Sequence, residues 1–332
     1  MQTLTQYEYL DVDGILKGVA NWIVKESPLT GALPQKSIQG NSYKYNVSLT
    51  LPNATWTTVG DPIVSNTGTY EQRSTDIYTL IQDALTDKSA IALNATQNPE
   101  AIDTELAAQA MAHEFEDTLI HGQTTTSSTT KQFKGLMRIL AEFESSSTTD
   151  LDALNNSQVI AVNATSGALT MVYMDELIDQ VKPGKPDLLL MSRRARRKLN
   201  ALQRASGGGS GAGLVMTESA LFGKFMESYD NIPIVVSDWQ LDNVPDASSS
   251  VLTTSTYNKS TTRASTLDNT IIYAMKLGER DVQGLHAGKM THERATFTED
   301  YNAIRNRFVW YNGLMCASKF SLACLINVNP DS

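Results

Sequence analysis

The chain is poor in the residues that reactive chemistry uses. Two cysteines, Cys316 and Cys324, and four histidines are spread over 332 residues. No C-x-x-C pair or other zinc-type spacing is present. The two thiols stand eight residues apart, too far along an extended strand for a disulfide. A reduced interior or a reducing compartment is their simplest setting. The start, MQTLTQYEYLDVDG, lacks the basic region and apolar core of a secretory signal. No apolar run is long enough to span a bilayer. There is no G-x-S-x-G elbow and no G-x-x-x-x-G-K-[ST] loop. The expectation is a soluble intracellular protein with no membrane partner.

Positive charge is also in short supply. There are 27 Lys plus Arg against 36 Asp plus Glu, a net charge of −9. A surface that binds polyanions throughout is excluded, so any nucleic-acid contact must be local. Hydrophobic residues make up 41%, which marks a globular chain rather than a disordered one. The length suits one elaborate domain or two intertwined ones.

Two stretches approach a catalytic motif without reaching it. HEFED at 113–117 has Asp117 where a zinc protease needs its second histidine, and His121 lies too far around the helix to replace it. A polar helix face explains it better. GGGSGAG follows a helix, whereas a dinucleotide fold needs strand, glycine turn and helix in that order. A loop explains it better. Neither a cofactor nor a metal is expected, and no catalytic residue is assigned.

Order along the chain is more informative. VDGILKGVANWIV predicts a short helix with Ile15, Val19 and Ile23 on one side, ended by SPLTGALPQ. YKYNVSLTL, 43–51, alternates at period two and predicts a strand. A second extended run, TYEQRSTDIYTLIQDAL, returns, so the pair reads as a long polar hairpin that needs something to lie on. PEAIDTELAAQAMAHEFEDTLIH, 99–121, predicts a long helix with Ala101, Ala108, Met111, Ala112, Phe115 and Leu119 on one face. Gly122 closes it. Further on, YMDELIDQV reads as a helix, and DLLLM, IPIVVSDW and NTIIYAMKLG as buried strands. Residues 289–311 have strand character with many charges. CASKFSLACLINV places Cys316, Phe320, Leu322, Cys324 and Ile326 on one face of a final strand, so the thiols read as core. Three Ser/Thr-rich inserts interrupt this order.

SRRARRKLNALQRA, from Ser192, predicts an N-capped helix directly after a strand. Ala195, Leu199 and Leu202 form a narrow apolar stripe; Arg193, Arg194, Arg196, Arg197, Lys198 and Arg204 cover the rest. Three readings stand: a face that meets acidic surface on another subunit, a solvated face, or a DNA contact. For the last, Asn200 and Gln203 alone are available to read bases.

The order of these segments resembles the major capsid proteins of tailed double-stranded DNA bacteriophages, with the Hong Kong 97-type fold. The resemblance runs from the extended hairpin, through the helix ending EFEDTLIHG and then FKGL, to PDLLLMSRRARRKLNAL, NIPIVVSDW, IIYAMKLGE and TFTEDYNAIRNRFVWYNGL. It implies an α+β fold: an N-terminal arm at 1–40, an extended loop at 41–75, and a peripheral domain at 76–139 with spine helix 99–121. An axial domain with a central mixed sheet follows at 140–285, then a long peripheral strand at 286–311 and a closing axial strand at 312–332. It implies a structural subunit, not an enzyme, assembled in the host cytoplasm as hexamers and pentamers of an icosahedral virion capsid. A separate scaffolding protein is expected, since no long helical pro-region precedes the arm, together with a portal, a decoration protein and weak contact with packaged DNA. Residues expected between subunits are Tyr43, Lys44, Tyr45, Trp56 and Arg73 of the hairpin, Arg193, Arg194, Arg196, Arg197 and Lys198 of the basic helix, and Arg305 and Arg307 of the charged strand. Encapsulin compartments share the fold and are the alternative; an enzyme or a DNA-binding regulator is the remote one.

Overall fold

A computed structural model describes residues 28–62, 65–88, 99–123, 131–143, 157–163, 166–205, 214–219, 224–240, 269–296 and 302–331. The expected helix of Ile15, Val19 and Ile23, the glycine loop 206–213, and nearly all of the three Ser/Thr-rich inserts lie outside the described residues.

Hydrophobic runs that alternate toward two cores build the larger sheet. Its order is β5 (Val159–Ala161), β15 (Leu322–Asn329), β11 (Thr270–Met275), β7 (Leu188–Met191), β10 (Ile232–Val236), β9 (Lys224–Tyr229) and β8 (Leu214–Ser219), with β6 (Gly167–Ala168) also beside β15. β7 and β10 run parallel, and β11 lies antiparallel between β7 and β15. DLLLM shows no polar alternation because both its faces are covered. Leu188 and Leu190 enter one core with α2 (Pro99–His121) and α3 (Leu136–Glu142). Leu189 and Met191 enter a second with α4 (Met171–Gln180) and α5 (Arg193–Ala205). The same split sends Tyr273 and Cys324 one way and Ile272 and Leu325 the other. Caps start both covering helices: Thr170 accepts from the Tyr173 N–H, and Ser192 from the Ala195 N–H at 3.2 Å.

The second sheet is organised by β14 (Ala303–Cys316), fourteen residues long. β4 (Tyr78–Asp87) runs along one edge of it, from Ala303 to Asn312. Along the other edge lie β12 (Val282–His286) and β13 (Thr291–Ala295), and β1 (Gln35–Ser37) pairs parallel with β12. Between β12 and β13 the chain leaves the ladder, and Gly288 takes a φ of 112° there, where a side chain would be strained. α2 lies across this sheet. Ala107, Ala108, Met111 and Ala112 meet Ala84 of β4 and Phe308 of β14, so small side chains let the helix approach closely. A short helix, α1 (Pro28–Ala32), packs Leu29 and Leu33 against Leu119, Leu136 and Leu314.

The third unit is a two-stranded ribbon, β2 (Ser42–Thr50) with β3 (Thr69–Asp76), in the register Tyr43–Thr75 and Tyr45–Arg73. The returning strand does not continue as one piece. The ladder ends at Asp76, and β4 begins a separate strand in the other sheet. The expected hairpin thus ends where Leu80 and Ala84 find a helix to lie under, a tertiary contact that the period-two pattern does not encode.

Other expectations also change. Residues 289–311 are not one strand but β13 and the start of β14, paired antiparallel. Cys316 ends β14 rather than joining the last strand, and Phe320 is exposed in a 3-10 turn, while Leu322, Cys324 and Ile326 are buried as expected. Ala101 is exposed instead of sharing the buried face of α2. β12 and β14 run through positions 286 and 312, where segment boundaries were expected.

The glycines of EFEDTLIHG and FKGL have a shared purpose. The Gly135 N–H donates to the Gly122 carbonyl at 2.9 Å, so the end of the spine helix and the start of α3 touch backbone to backbone. A Cβ on Gly122 would collide with the carbonyl oxygens of Phe133 and Thr118, and one on Gly135 with Gly122 N.

Candidate assembly interface

The ribbon has an anchored base and an exposed tip. At the base, the Tyr43 and Tyr45 rings stack at 6.4 Å, and Lys36 Nζ donates to the Tyr43 hydroxyl at 3.2 Å. Tyr45 donates its hydroxyl to the Cys316 carbonyl at 3.3 Å, and burial raises its pKa. These two tyrosines, expected between subunits, thus make contacts within the chain. Lys44 points outward and is exposed; Arg73, across the ladder from Tyr45, pairs with Glu71 at 3.3 Å. At the tip, the Thr58 N–H and hydroxyl both donate to Asp61, which closes a turn and lowers the Asp61 pKa. Leu51, Trp56 and Val59 are exposed around that turn. Apolar side chains gathered on a projecting ribbon are costly in water and mark a contact surface.

The outer face of the second sheet is exposed as well. Ile81 and Leu85 of β4 and Tyr311 of β14 face solvent, opposite the side that α2 covers. Between them Arg307 grips Asp83 through two bonds of 2.7 Å, which hold the Asp83 carboxyl below its ordinary range. Arg305 is half-buried beside them. Arg294 makes a second bidentate grip, on Glu100, at 2.6 and 3.0 Å, joined by Asn306 at 3.1 Å. This network ties the first turn of the spine helix to β13 and β14. His292 contacts Asn306 at 3.2 Å and the Phe308 ring at 4.8 Å, and burial lowers its pKa.

The arginines of the basic helix α5 lie near acids of their own chain, although Arg193, Arg196 and Arg197 stay exposed. Arg193 binds Asp238, Arg194 binds Asp331, and Arg196 and Arg197 lie 3.8 Å from Glu227 and Asp331. Asn200, a base-reading candidate, reaches Glu227 at 3.3 Å. Lys198 is half-buried. The wheel showed the cations but not these acids, which arrive from β9, the turn after β10 and the C-terminal turn. A helix so engaged offers fewer free charges to a phosphate backbone.

The near-motifs have structural explanations. The His113 ring packs on Trp239 at 4.9 Å, and His121 Nδ1 lies 3.0 Å from Asp117. Glu116 is buried and accepts a 2.6 Å bond from Ser237, which ties the spine helix to the end of β10. Both thiols are buried; burial pushes that of Cys316 up to about 12 and that of Cys324 higher still. Among the described residues no helix is long and apolar enough to cross a membrane.

A family model, major capsid protein GP7, matches residues 11–181, just over half of the chain. The chain belongs to that family. No curated protein matches the capsid chain in sequence. Among solved structures, it is similar to the SrpI encapsulin of Synechococcus elongatus PCC 7942, with 15% identity, TM-score 0.63, and 92% of this chain and 89% of that one covered. It is also similar to the capsid of a native GTA particle, with 12% identity, TM-score 0.57, and 92% and 91% covered. The capsid of Myoviridae phage XM1 matches with 12% identity, TM-score 0.57, and 91% of each chain covered. The fold is therefore that of Hong Kong 97-type capsid proteins, and the capsid chain is a shell subunit that works as many copies. Sequence reasoning found its ribbon and spine helix but missed Ile81, Leu85 and Tyr311. The two-sided apolar run LIQDAL was the available signal for the first two.

Proposed function

We propose that the capsid chain assembles as hexamers and pentamers into an icosahedral shell around double-stranded DNA, with the ribbon of each copy clasping the next. The exposed tip, with Leu51, Trp56 and Val59, carries the reading. It supplies apolar surface that is exposed among the described residues, and the outer face with Ile81, Leu85 and Tyr311 is a surface of matching chemistry on another copy. The role is structural rather than enzymatic. Scaffolding, portal and decoration proteins are the expected further partners, assembly takes place in the host cytoplasm, and contact with DNA is weak because the net charge is −9. Lys44 and the tip residues remain the best-placed of the expected interface residues. Arg196, Arg197 and Arg305 are secondary.

Electron microscopy of the purified chain, expressed alone and with neighbouring genes, tests this. Closed shells, or rings of five and six, support it; a uniform small oligomer under every condition refutes it. The likeness to an encapsulin favours a second reading, a cargo compartment. Small shells holding protein rather than DNA would select it.

A further inference from the structure

The outward faces of α4 and α5 carry opposite charge. Both helices cover the same side of the larger sheet, α4 through Met174, Leu177 and Ile178 and α5 through Ala195 and Leu199. What α4 shows to solvent is Val172, Asp175, Glu176 and Asp179, at the i, i+3, i+4, i+7 spacing of one face. The helix has no Lys, Arg or His. Asp175 accepts a 2.6 Å bond from the Tyr229 hydroxyl, while the side chains of Glu176 and Asp179 have no partner among the described residues. α5 shows Arg193, Arg196, Arg197, Ala201 and Arg204, again one helical face, and has no acid. Asp238 engages Arg193, but Arg196 and Arg197 find carboxylates only at 3.8 Å, with 44% and 68% of their side chains exposed. Arg204 reaches the neutral Asn200 carbonyl at 3.3 Å. Exposed ion pairs contribute little, so these arginines exchange partners at small cost.

We propose that the arginine face of α5 on one copy lies antiparallel along the acidic face of α4 on the next, with Val172 over the small Ala201 and with Glu176 and Asp179 reaching Arg197 and Arg196. The charges are complementary, and α4 is singled out among the acids available. Among the described residues no other helix carries three acids on one exposed face: α2 exposes Glu105 and Glu114, and the one acid of α3, Glu142, is held by Lys134 and Arg138. The occupant is a second copy because every copy brings both faces. Two unlike faces on one subunit make a head-to-tail contact, and such contacts close into rings when the rotation permits. The inference rests on the shell reading, to which it adds the pair of surfaces that joins neighbours within a ring.

Charge exchange in the full-length chain tests it, read by electron microscopy under conditions in which the wild type assembles. One variant reverses α4 (Glu176→Lys, Asp179→Lys), a second reverses α5 (Arg196→Glu, Arg197→Glu), and a third carries all four changes. Each of the first two alone should fail to form rings, and the third should form them again. Mixing the first two variants should restore rings of six but not of five, because the two kinds of chain must alternate and only an even ring allows that. Normal rings from either of the first two variants overturn the inference and leave the shell reading standing. A third variant that stays unassembled overturns the pairing of α4 with α5. Rings from the third variant but none from the mixture place the contact within one chain and overturn the assignment to a second copy. Circular dichroism checks that each variant is folded. Should a reversed chain not fold, the neutral variant Glu176→Gln, Asp179→Asn decides: it should need about tenfold more protein to assemble, and an unchanged threshold overturns the inference. A wild type that never assembles overturns the shell reading with it.

Discussion

Trp56→Ala is the sharpest perturbation of the clasp. The indole has a relative exposure of 104%, so it packs against nothing among the described residues of its own subunit. Its removal should leave the thermal stability of the unassembled chain within about 0.5 kcal/mol of the original. Between subunits the arithmetic differs. A tryptophan buries about 200 Å² when covered, worth about 5 kcal/mol at 25 cal/mol/Å². Truncated aromatic anchors at real interfaces lose about 2–4 kcal/mol, because part of the surface stays wet and ordering costs remain. A loss near 3 kcal/mol raises the concentration needed for assembly about a hundredfold. Light scattering against protein concentration reads that threshold, and a thermal melt of the unassembled subunit reads the fold. An unchanged threshold would refute the ribbon as a clasp. A large fall in subunit stability would show that the indole packs within its own chain.

Four further outcomes follow from the geometry. Gly135→Ala, which drives a Cβ into Gly122, should destabilise the subunit by about 3 kcal/mol or more in a urea titration, since backbone has nowhere to move. Arg194→Ala leaves Asp331 without its closest cation and should cost about 1–2 kcal/mol in the same assay, because the Arg194 side chain is only 17% exposed. Reversing Arg196 and Arg197 to glutamate, at sites 44% and 68% exposed, should cost the subunit about 1 kcal/mol at most while impairing assembly; normal particles would remove α5 from the interface. The Glu100 pKa is depressed first by its bonds to Arg294, so its stabilisation is complete above the ordinary value of 4.5 and is lost as pH falls through the lower folded value. The stability gap between the wild type and Glu100→Gln should therefore narrow steadily as pH falls below 4.5, and a gap that does not change with pH in that range would show that charge is not its source.

The sequence by itself determined the elements whose pattern is local. The spine helix at 99–121 follows from its 3.6-residue stripe and Gly122, β7 from a short apolar run between turns, and α5 from the Ser192 cap. Segment order then pointed to the capsid fold, because each segment keeps its own periodicity whatever it packs against. Partnership was decided only in three dimensions. The cations of α5 look free on a helical wheel, yet Asp238, Glu227 and Asp331 reach them from distant parts of the chain. The ribbon and β4 share one extended run in the sequence, but they separate at Ile77 because β4 has β14 beside it and α2 above it. The sequence reads Tyr43 and Tyr45 as residues between subunits, and only the folded chain shows their bonds to Lys36 and to the Cys316 carbonyl. Local backbone preference is set by neighbours along the chain. Charge pairing, burial and sheet membership are set by neighbours in space, and those exist only once the chain has folded.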